Sequence, residues 1–294
     1  MILLCDCGST KAEWVLLDGA KVEKRFVTDG FNPNFTDNNT MNDIVKQSLT
    51  NIVDYHDVSD VYFYGSGCGS AANQVKVKLI FNKFYPLSKA EVYPDTLAAC
   101  HALFGDKPGI ACILGTGSNA CVYDGSEITE SMASLGFMIG DEGSGCHIGK
   151  RIVHDYFLGL MPNDLRAIFD AKYHLDRESF LKKVYQGEQP SRYLAEFAKF
   201  AGEHVDNQYV VKAVGECFDA FITTSFRLER NEVKCNGEIS NDVAFVGSVA
   251  YYFRDILTKC LANHNIKCEK ILKNPMDGLI EFYKDQNAME SLIL

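Results

Sequence analysis

The sequence of 294 residues lacks any apolar run of the roughly 18 residues that a helix needs to cross a bilayer. No basic segment with an apolar stretch behind it precedes the first strand-like run, so we expect no signal peptide. Positive charge is also scarce, because 29 Lys and Arg residues stand against 39 Asp and Glu residues, a formal net charge of -10. This balance argues against a nucleic-acid surface and an anionic membrane as partners. We therefore expect a soluble, cytoplasmic protein.

Recognisable metal and redox motifs are missing as well. None of the eleven cysteines forms a CxxC pair, and no HExxH occurs. Most of the cysteines stand inside apolar runs, where a thiol behaves as a small hydrophobic group, and their scattered odd number indicates a reducing compartment. Hydrophobic residues make up 47% of the chain, so it can bury the cores of one large domain or, more in keeping with its length, two.

Two glycine-rich turns between short apolar runs are the most informative features. Near the amino terminus Ile2–Cys5 leads into DCGSTK at 6–11, and further on Ile110–Leu114 leads into GTGS at 115–118. Each pattern predicts strand, turn and strand, and the first continues into a third strand over Lys21–Thr28, as in an antiparallel meander. Neither turn matches GxxxxGK[ST] or a GxGxxG that opens a helix. Bare N–H groups in glycine turns bind anions, so both are candidate phosphate sites, with ordinary hairpins as the alternative.

The polar residues of the first turn suit a phosphate with a divalent cation. A carboxylate at Asp6, at the end of a buried strand, can hold Mg²⁺, usually through water, and Lys11 adds a positive charge for phosphate oxygens. A strand-end aspartate beside a polar turn, satisfied by its neighbours, is the alternative interpretation.

Three other places combine aspartate or glycine with the end of a strand or helix. Asp95 begins an alanine-rich helix predicted over Asp95–Leu103, where an aspartate is commonly a cap. Asp141 lies in a glycine-rich loop before a long helix and would either bind sugar hydroxyls or cap that helix. The strand Asp242–Val246 runs into Gly247 and Ser248, a joint that suits either a flat ring against bare backbone or close packing of helix on strand.

Apolar spacing predicts the helices that connect these places. We expect helices over Met41–Tyr55, over Ala71–Phe84 with Val75, Leu79 and Ile80 inward, and over Val205–Leu228, and a short terminal helix over Leu279–Tyr283. Lys107-Pro108-Gly109 is the expected joint between two domains.

Taken together, five strings resemble the actin-like ATPase and sugar-kinase superfamily: DCGSTK at 6–11, the helix that begins at Asp95, LGTGSN at 114–119, GDEGS at 140–144 and FVGSVA at 245–250. Within it the chain is most similar to N-acetylglucosamine kinases and the related BadF/BadG-type ATPases. The resemblance implies an α/β protein of two actin-like, ribonuclease H-like domains with a nucleotide cleft between them. These are residues 1–107 and 108–294, with the terminal helix able to pack back onto the first domain.

The same resemblance implies an enzyme that uses ATP and Mg²⁺ to phosphorylate a hydroxyl of N-acetylglucosamine or a related amino sugar. Its general base would be Asp95, and Mg²⁺ would lie near Asp6. Residues matching the family's phosphate contacts are Gly8, Ser9, Thr10, Lys11, Gly115, Thr116 and Gly117. Gly247 and Ser248 match its adenosine contacts, and Asn34, Ser118, Asn119 and Asp141 match its sugar contacts. Leu135 stands where the animal enzyme carries a tryptophan beside the sugar, which leaves the identity of the sugar open.

Two other classes of function fit parts of the pattern. An ATPase that activates a partner redox enzyme resembles this family, but it holds an iron–sulfur cluster between subunits with paired cysteines. A sugar or nucleotide sensor without turnover would not need a base at Asp95. The choice between ATP and GTP stays open, as does the choice between a monomer and a homodimer.

Overall fold

A computed structural model describes residues 1–9, 11–226, 233–235, 238–240 and 242–293, with the backbone alone at 233–235, 238–240 and 285–293. Contacts between Cα atoms divide the chain into two units, one of Met1–Asp106 with Pro275–Leu294 and one of Lys107–Asn274. The expected division into two domains, residues 1–107 and 108–294, stays a prediction.

The first unit is built on a five-stranded sheet whose central strand is the first of the chain. Apolar runs between polar turns form its strands, and β1, β2 and β3 make the predicted antiparallel meander, while β4 and β5 run parallel to β1. The strand order is β3-β2-β1-β4-β5. The bounds are β1 (Ile2–Cys7), β2 (Lys11–Asp18), β3 (Lys21–Asp29), β4 (Asp60–Gly65) and β5 (Lys89–Pro94).

The helices of this unit depart from the expected pattern in two places. The segment expected as one helix over Met41–Tyr55 instead starts earlier, because the Asp37 side chain accepts hydrogen bonds from the backbone N–H groups of two residues in the first turn, and it ends in a π-helical turn. The bounds are α1 (Asn38–Ile44), the π-helical turn Val45–Leu49, a 3₁₀ turn Tyr55–Asp57, α2 (Ala71–Phe84) and α3 (Asp95–Phe104).

The inward face predicted for α2 is wrong for two of its three residues. Val75 and Leu79 are 56% and 62% exposed, whereas Val77, Ile80 and Phe81 are buried. The last three follow the i, i+3, i+4 spacing of one helical stripe, and this stripe packs in the core of the unit.

The second unit repeats the sheet of the first. Its strand order is β12-β11-β6-β7-β8, with β6, β7 and β8 antiparallel and β11 and β12 parallel to β6. The two glycine-rich turns therefore hold equivalent positions, each between the central strand and its antiparallel neighbour. The bounds are β6 (Gly109–Leu114), β7 (Ser118–Tyr123), β8 (Ile128–Ser131), β9 (Val233–Cys235), β10 (Glu238–Ser240), β11 (Val243–Val246) and β12 (Cys268–Leu272), of which β9 and β10 form a separate ribbon.

Helices supply most of the core of the second unit. The longest of them buries Val210, Val214, Cys217, Phe218, Phe221 and Ile222, while Val211, also expected inward, is only partly buried. The bounds are α4 (Gly136–Ile139), α5 (Gly145–Phe157), α6 (Asn163–Tyr173), α7 (Arg177–Gln186), α8 (Pro190–Glu196), α9 (Ala198–Glu203), α10 (Gln208–Ser225), α11 (Ser248–Tyr252) and α12 (Arg254–Asn263).

The terminal helix α13 (Met276–Ile293) is longer than predicted and packs on α3 within the first unit. The two helices approach so closely that a Cβ at Gly278 would lie 2.4 Å from the carbonyl oxygen of Ala102. The Tyr283 hydroxyl lies 2.8 Å from that of Tyr64, a second buried tie. None of the described helices is both long and apolar enough to cross a membrane.

Candidate functional site

The carboxyl ends of three parallel strands meet at one edge of the first sheet. Cys7 pairs with Gly65, and Gly65 pairs with Pro94. Asp6 precedes the first residue of this row and Asp95 follows the last, so the register brings the two carboxylates to the same edge. In open α/β sheets, ligands bind at the carboxyl ends of the strands.

A pocket of about 250 Å³ opens at this edge, and it holds four residues of the predicted site. It is lined by Asp6, Cys7, Gly8, Lys11, Glu13 and Asp95. Of the other two predicted residues in this turn, Ser9 is exposed and follows Gly8 in the chain, and Thr10 is outside the described residues. Glu13 was not expected here, although the hairpin that was predicted implies its register.

Carboxylate pKa values in this pocket are shifted upward. Burial raises the pKa of Asp6 to about 7, and the charges of Asp95 and Glu13 add to the effect. Burial also raises the pKa of Asp95, against hydrogen bonds from the backbone N–H groups of Thr96 and of Asp95 itself. Both carboxylates are thus poorly solvated, and a cation or a proton would relieve them.

The turn between β1 and β2 is held by the backbone. Gly8 donates its N–H to the carbonyl oxygen of Lys11 at 3.0 Å. A Cβ at Gly30 would lie 2.1 Å from the Gly8 carbonyl oxygen, so a glycine behind the turn is a packing requirement. A methyl on Gly8 itself would meet only the Lys11 carbonyl oxygen, at an ordinary 3.4 Å, which leaves this glycine open towards a ligand.

A buried amide that the sequence analysis missed braces the neighbouring loops. Asn32 donates from Nδ2 to the hydroxyls of Ser9 and Ser66 at 3.3 and 3.4 Å, and its Oδ1 accepts from the backbone N–H of Asn34 at 3.0 Å. The predicted sugar contact Asn34 is itself exposed and accepts a hydrogen bond from Asn73. Asn34 is not among the residues that line the pocket, and its role stays a prediction.

The second glycine-rich turn is fixed by the start of α5. Gly115 donates to the Gly117 carbonyl oxygen at 3.0 Å, while Gly145 and Cys146 donate to the carbonyl oxygens of Gly115 and Thr116 at 2.8 and 3.1 Å. The first amides of α5 therefore hold the turn in place. A Cβ at Gly115 would have nothing within 4 Å, so the turn presents open space on that side.

A larger pocket of about 630 Å³ adjoins this turn in the second unit. Gly115, Thr116 and Ser248 line it, as predicted contacts of phosphate and adenosine, together with residues from α8, α9 and α11 that carry no motif, among them Arg192, Glu196, Lys199 and Tyr252. Gly247 has φ of +128°, and a Cβ there would lie 2.2 Å from the Leu114 carbonyl oxygen. Close packing of helix on strand thus explains this glycine, and its contact with adenosine stays a prediction.

Three predicted residues of the second unit lie together beside the turn. Asp141 has φ of +59°, and its Oδ1 accepts from the Ser118 N–H at 3.3 Å, while a Cβ on Gly117 would lie 3.1 Å from the same oxygen. The Ser118 hydroxyl is buried without a protein partner. The fourth, Asn119, uses Oδ1 to accept from the Ala120 N–H at 2.8 Å.

The donor set suits magnesium better than a metal that demands a full protein cage. Within the described ranges, no three His, Cys, Asp or Glu side chains are grouped so as to hold a metal ion. Mg²⁺ usually takes one or two carboxylates and fills its other positions with water and phosphate oxygens. Asp6, with Glu13 beside it, fits that pattern.

No protein-family model matches the chain. Among solved structures, a Porphyromonas gingivalis protein with the provisional name N-acetylglucosamine kinase is 34% identical, over 97% of this chain and 99% of its own, with a TM-score of 0.90. The chain belongs to the N-acetylglucosamine kinase family. The resemblance noted in the sequence is thereby confirmed, and the family's class is that of ATP-dependent carbohydrate kinases.

More distant structures show the same fold as this family member. A Chromobacterium violaceum protein with the same provisional name is 15% identical over 96% of this chain and 98% of its own, with a TM-score of 0.66. A ROK family glucokinase from Streptomyces griseus, solved with glucose and AMPPNP, is 13% identical over 95% and 97%, with a TM-score of 0.55. The expected α/β class with two actin-like units is confirmed.

Proposed function

We propose that the protein is a kinase that transfers the γ-phosphate of ATP to a hydroxyl of N-acetylglucosamine or a related amino sugar. The observation that carries the proposal is the pocket that joins Asp95, Asp6 and Lys11 in a chain of this family. Phosphoryl transfer asks the protein mainly for positioning, charge neutralisation and a carboxylate at the acceptor hydroxyl. Asp95 would supply that carboxylate, Lys11 would neutralise charge on the phosphates, and Asp6 would position the phosphates through Mg²⁺.

Asp95 is the proposed general base. Its carboxylate belongs to the first residue of α3, and burial raises its pKa, which makes it a stronger proton acceptor than an aspartate in water. A sugar hydroxyl that donates a hydrogen bond to this carboxylate becomes more nucleophilic and releases its proton late in the transfer.

Each glycine-rich turn is proposed as a phosphate site for the nucleotide. The proposed contacts are Gly8, Ser9, Thr10 and Lys11 in the first unit, and Gly115, Thr116 and Gly117 in the second. The Streptomyces griseus glucokinase was solved with AMPPNP, which supports ATP as the nucleotide. The pocket of about 630 Å³ that reaches Ser248 has room for adenosine. Asp6 would hold Mg²⁺, whose charge neutralises the phosphates when it is bound.

The sugar is proposed to meet Asn34, Ser118, Asn119 and Asp141. Asp141 holds a left-handed backbone conformation that is uncommon outside glycine, which aims its carboxylate at the turn that carries Ser118. Leu135, at 59% exposed, immediately precedes α4, the short helix before Asp141, and stands where the animal enzyme carries a tryptophan. We therefore expect this protein to be less selective than the animal enzyme for the acyl group on the sugar nitrogen.

An ATPase that activates a redox partner finds no support here. Nine of the ten cysteines with described side chains are buried, so they are poorly placed to share a cluster with a partner subunit. Buried free thiols also agree with the cytoplasm as the place of the proposed reaction.

A coupled ADP-release assay with a panel of hexoses and amino sugars tests the proposal. We expect Mg²⁺-dependent ADP release only with sugars, fastest with an N-acetylated amino sugar, and one ADP for each sugar phosphate formed. If ATP were hydrolysed at the same rate without sugar and with each sugar of the panel, the result would contradict a kinase and favour the partner-activating ATPase. For variants that replace Asp6 or Asp95 in the smaller pocket by asparagine, Asp106→Asn is the control, because it makes the same charge change at an exposed site.

A further inference from the structure

Two carboxylates face each other across the first hairpin. Asp6 on β1 and Glu13 on β2 are directly opposite in the antiparallel register, so their side chains share one face of the sheet. Like charges in this arrangement destabilise a sheet. Both side chains line the pocket that also holds Lys11 and Asp95. A cation bound between the two acids, or a proton on one of them, would relieve this repulsion.

Glu13 is held in this position from outside the pocket. Its Oε1 accepts from Arg25 Nε at 2.7 Å, and Arg25 donates from Nη1 to Asp277 Oδ1 at 2.6 Å. Asp277 stands in the first turn of α13, the helix that packs on α3. One guanidinium thus spans a strand carboxylate and a helix carboxylate, a two-armed contact that lysine cannot reproduce.

The clamp leaves part of Glu13 available. Only Oε1 is engaged by Arg25, and the side chain is one-fifth exposed, at the wall of the pocket. A pair made only to tie β2 to β3 would not need a carboxylate that lines the same pocket as Lys11. Magnesium bound with nucleotide commonly rests on one or two carboxylates, and here the second is already oriented.

We propose that Glu13 shares with Asp6 the binding of the magnesium ion that accompanies the nucleotide. Arg25 is the positioning residue for Glu13, and Asp277 anchors Arg25. The inference deepens the proposed function in one respect only, since it rests on Mg²⁺–ATP as the ligand and not on any sugar. It also gives α13 a part in magnesium binding, because Asp277 of this helix anchors the Arg25 side chain that orients Glu13.

The test compares AMPPNP binding by calorimetry in Mn²⁺ and in EDTA, with no sugar present. The measured quantity is the ratio of the two affinities, which reports how strongly the cation and the protein cooperate. We expect Glu13→Gln to lower this ratio about 10-fold, the effect usual for a residue that supports a bound metal. A wild-type ratio in Glu13→Gln would overturn the proposal. Glu23→Gln, on β3 and paired with Lys21, is the matched control and should keep the wild-type ratio.

A second variant separates orientation from net charge. Arg25→Met leaves both pocket carboxylates in place and removes a positive charge, so a purely electrostatic role for Glu13 predicts a higher Mn²⁺ ratio. Positioning predicts a lower ratio, because Glu13 loses its fixed orientation, and a smaller fall for Asp277→Asn. A raised or unchanged ratio in Arg25→Met would reject the clamp, even if Glu13→Gln failed to fold. Absence of sugar phosphorylation would leave this measurement intact and would count only against the proposed kinase.

Discussion

Asp6 and Asp95 stand at the ends of two different strands and meet in one pocket, where the charge of Asp95 adds to the burial that raises the pKa of Asp6 to about 7. Lys11 is the basic residue that lines the same pocket. This arrangement is poorly suited to a protein without ligands and well suited to one that binds a cation with a phosphate. Two consequences can be measured separately: the loss of stability caused by the buried carboxylates, and their contribution to the reaction.

Burial of the Asp6 carboxylate predicts an unusual dependence of the free energy of unfolding on pH, measured in EDTA. Because the pKa of Asp6 in the folded protein lies above its ordinary value of 3.8, the unfolded chain ionises first. The free energy of unfolding should therefore fall as the pH rises from about 4 to about 7. Asp6→Asn removes this loss, so its gain in Tm over wild type should be larger at pH 8 than at pH 4.5. Calorimetric melts at both pH values check this, and an equal gain at both would refute the stated origin of the shift.

The proposed role of Asp95 as general base predicts that its substitution slows the reaction without weakening nucleotide binding. Asp95→Asn keeps the shape of the side chain and removes its capacity to accept the sugar proton, so we expect kcat to fall roughly 10²–10⁴-fold. The affinity for AMPPNP should stay close to that of wild type. In the wild-type enzyme the acid limb of kcat/KM should lie above the ordinary pKa of aspartate, because burial raises the pKa of Asp95. Turnover near the wild-type rate would remove Asp95 as the base.

The strands of the two main sheets and the two glycine-rich turns could for the most part be predicted, because each depends on local order in the chain. An apolar run such as Ile2–Cys5, followed by a polar glycine turn, is too short for a helix and satisfies its backbone hydrogen bonds by forming a strand. The helix start at Asp95 and the long helix after the Asp141 loop follow from the same kind of local rule. β8 was missed because its residues are mostly exposed and carry little alternation.

The pairing of Asp6 with Glu13 needed one further step. An antiparallel hairpin with its turn at 8–11 puts residues 6 and 13 opposite each other, so the turn length already contains the register. Asn32 had no such signal, since burial of an amide between two loops depends on contacts far apart in the chain. The same holds for Arg192 and Tyr252, which enter the larger pocket from helices that only tertiary packing brings together.

Lys11 is expected to act on the nucleotide alone. Lys11→Ala removes a positive charge from the wall of the smaller pocket, so the affinity for ATP should fall about 10-fold. Sugar affinity, measured by calorimetry in the absence of nucleotide, should not change. Lys21→Ala removes the same charge from a side chain that is 74% exposed and should match wild type in both assays. Equal losses for ATP and sugar in Lys11→Ala would contradict its placement on phosphate.

Two neighbouring glycines of the second turn are expected to fail in different ways when they become alanine. Neither Gly115 nor Gly117 has a positive φ, so alanine is allowed by the backbone at both. Gly115 lines the larger pocket, and a methyl on it would meet no protein atom within 4 Å, whereas a methyl on Gly117 would lie 3.1 to 3.2 Å from both carboxylate oxygens of Asp141. Gly115→Ala should therefore disturb mainly the nucleotide, and Gly117→Ala mainly the sugar.

Gly115→Ala should therefore fold with a Tm near wild type and raise the KM for ATP severalfold, because the methyl occupies the space into which a phosphate would approach the backbone. Gly117→Ala should raise the KM for the sugar more than the KM for ATP, because the Asp141 carboxylate must move by a few tenths of an ångström while the backbone N–H of residue 117 is kept. Gly69→Ala, where a methyl also meets no atom within 4 Å, controls for the loss of a flexible residue. The sugar KM of Gly117→Ala is the sharper measurement: a wild-type value would count against Asp141 as a sugar contact, because its carboxylate is the group nearest to the new methyl.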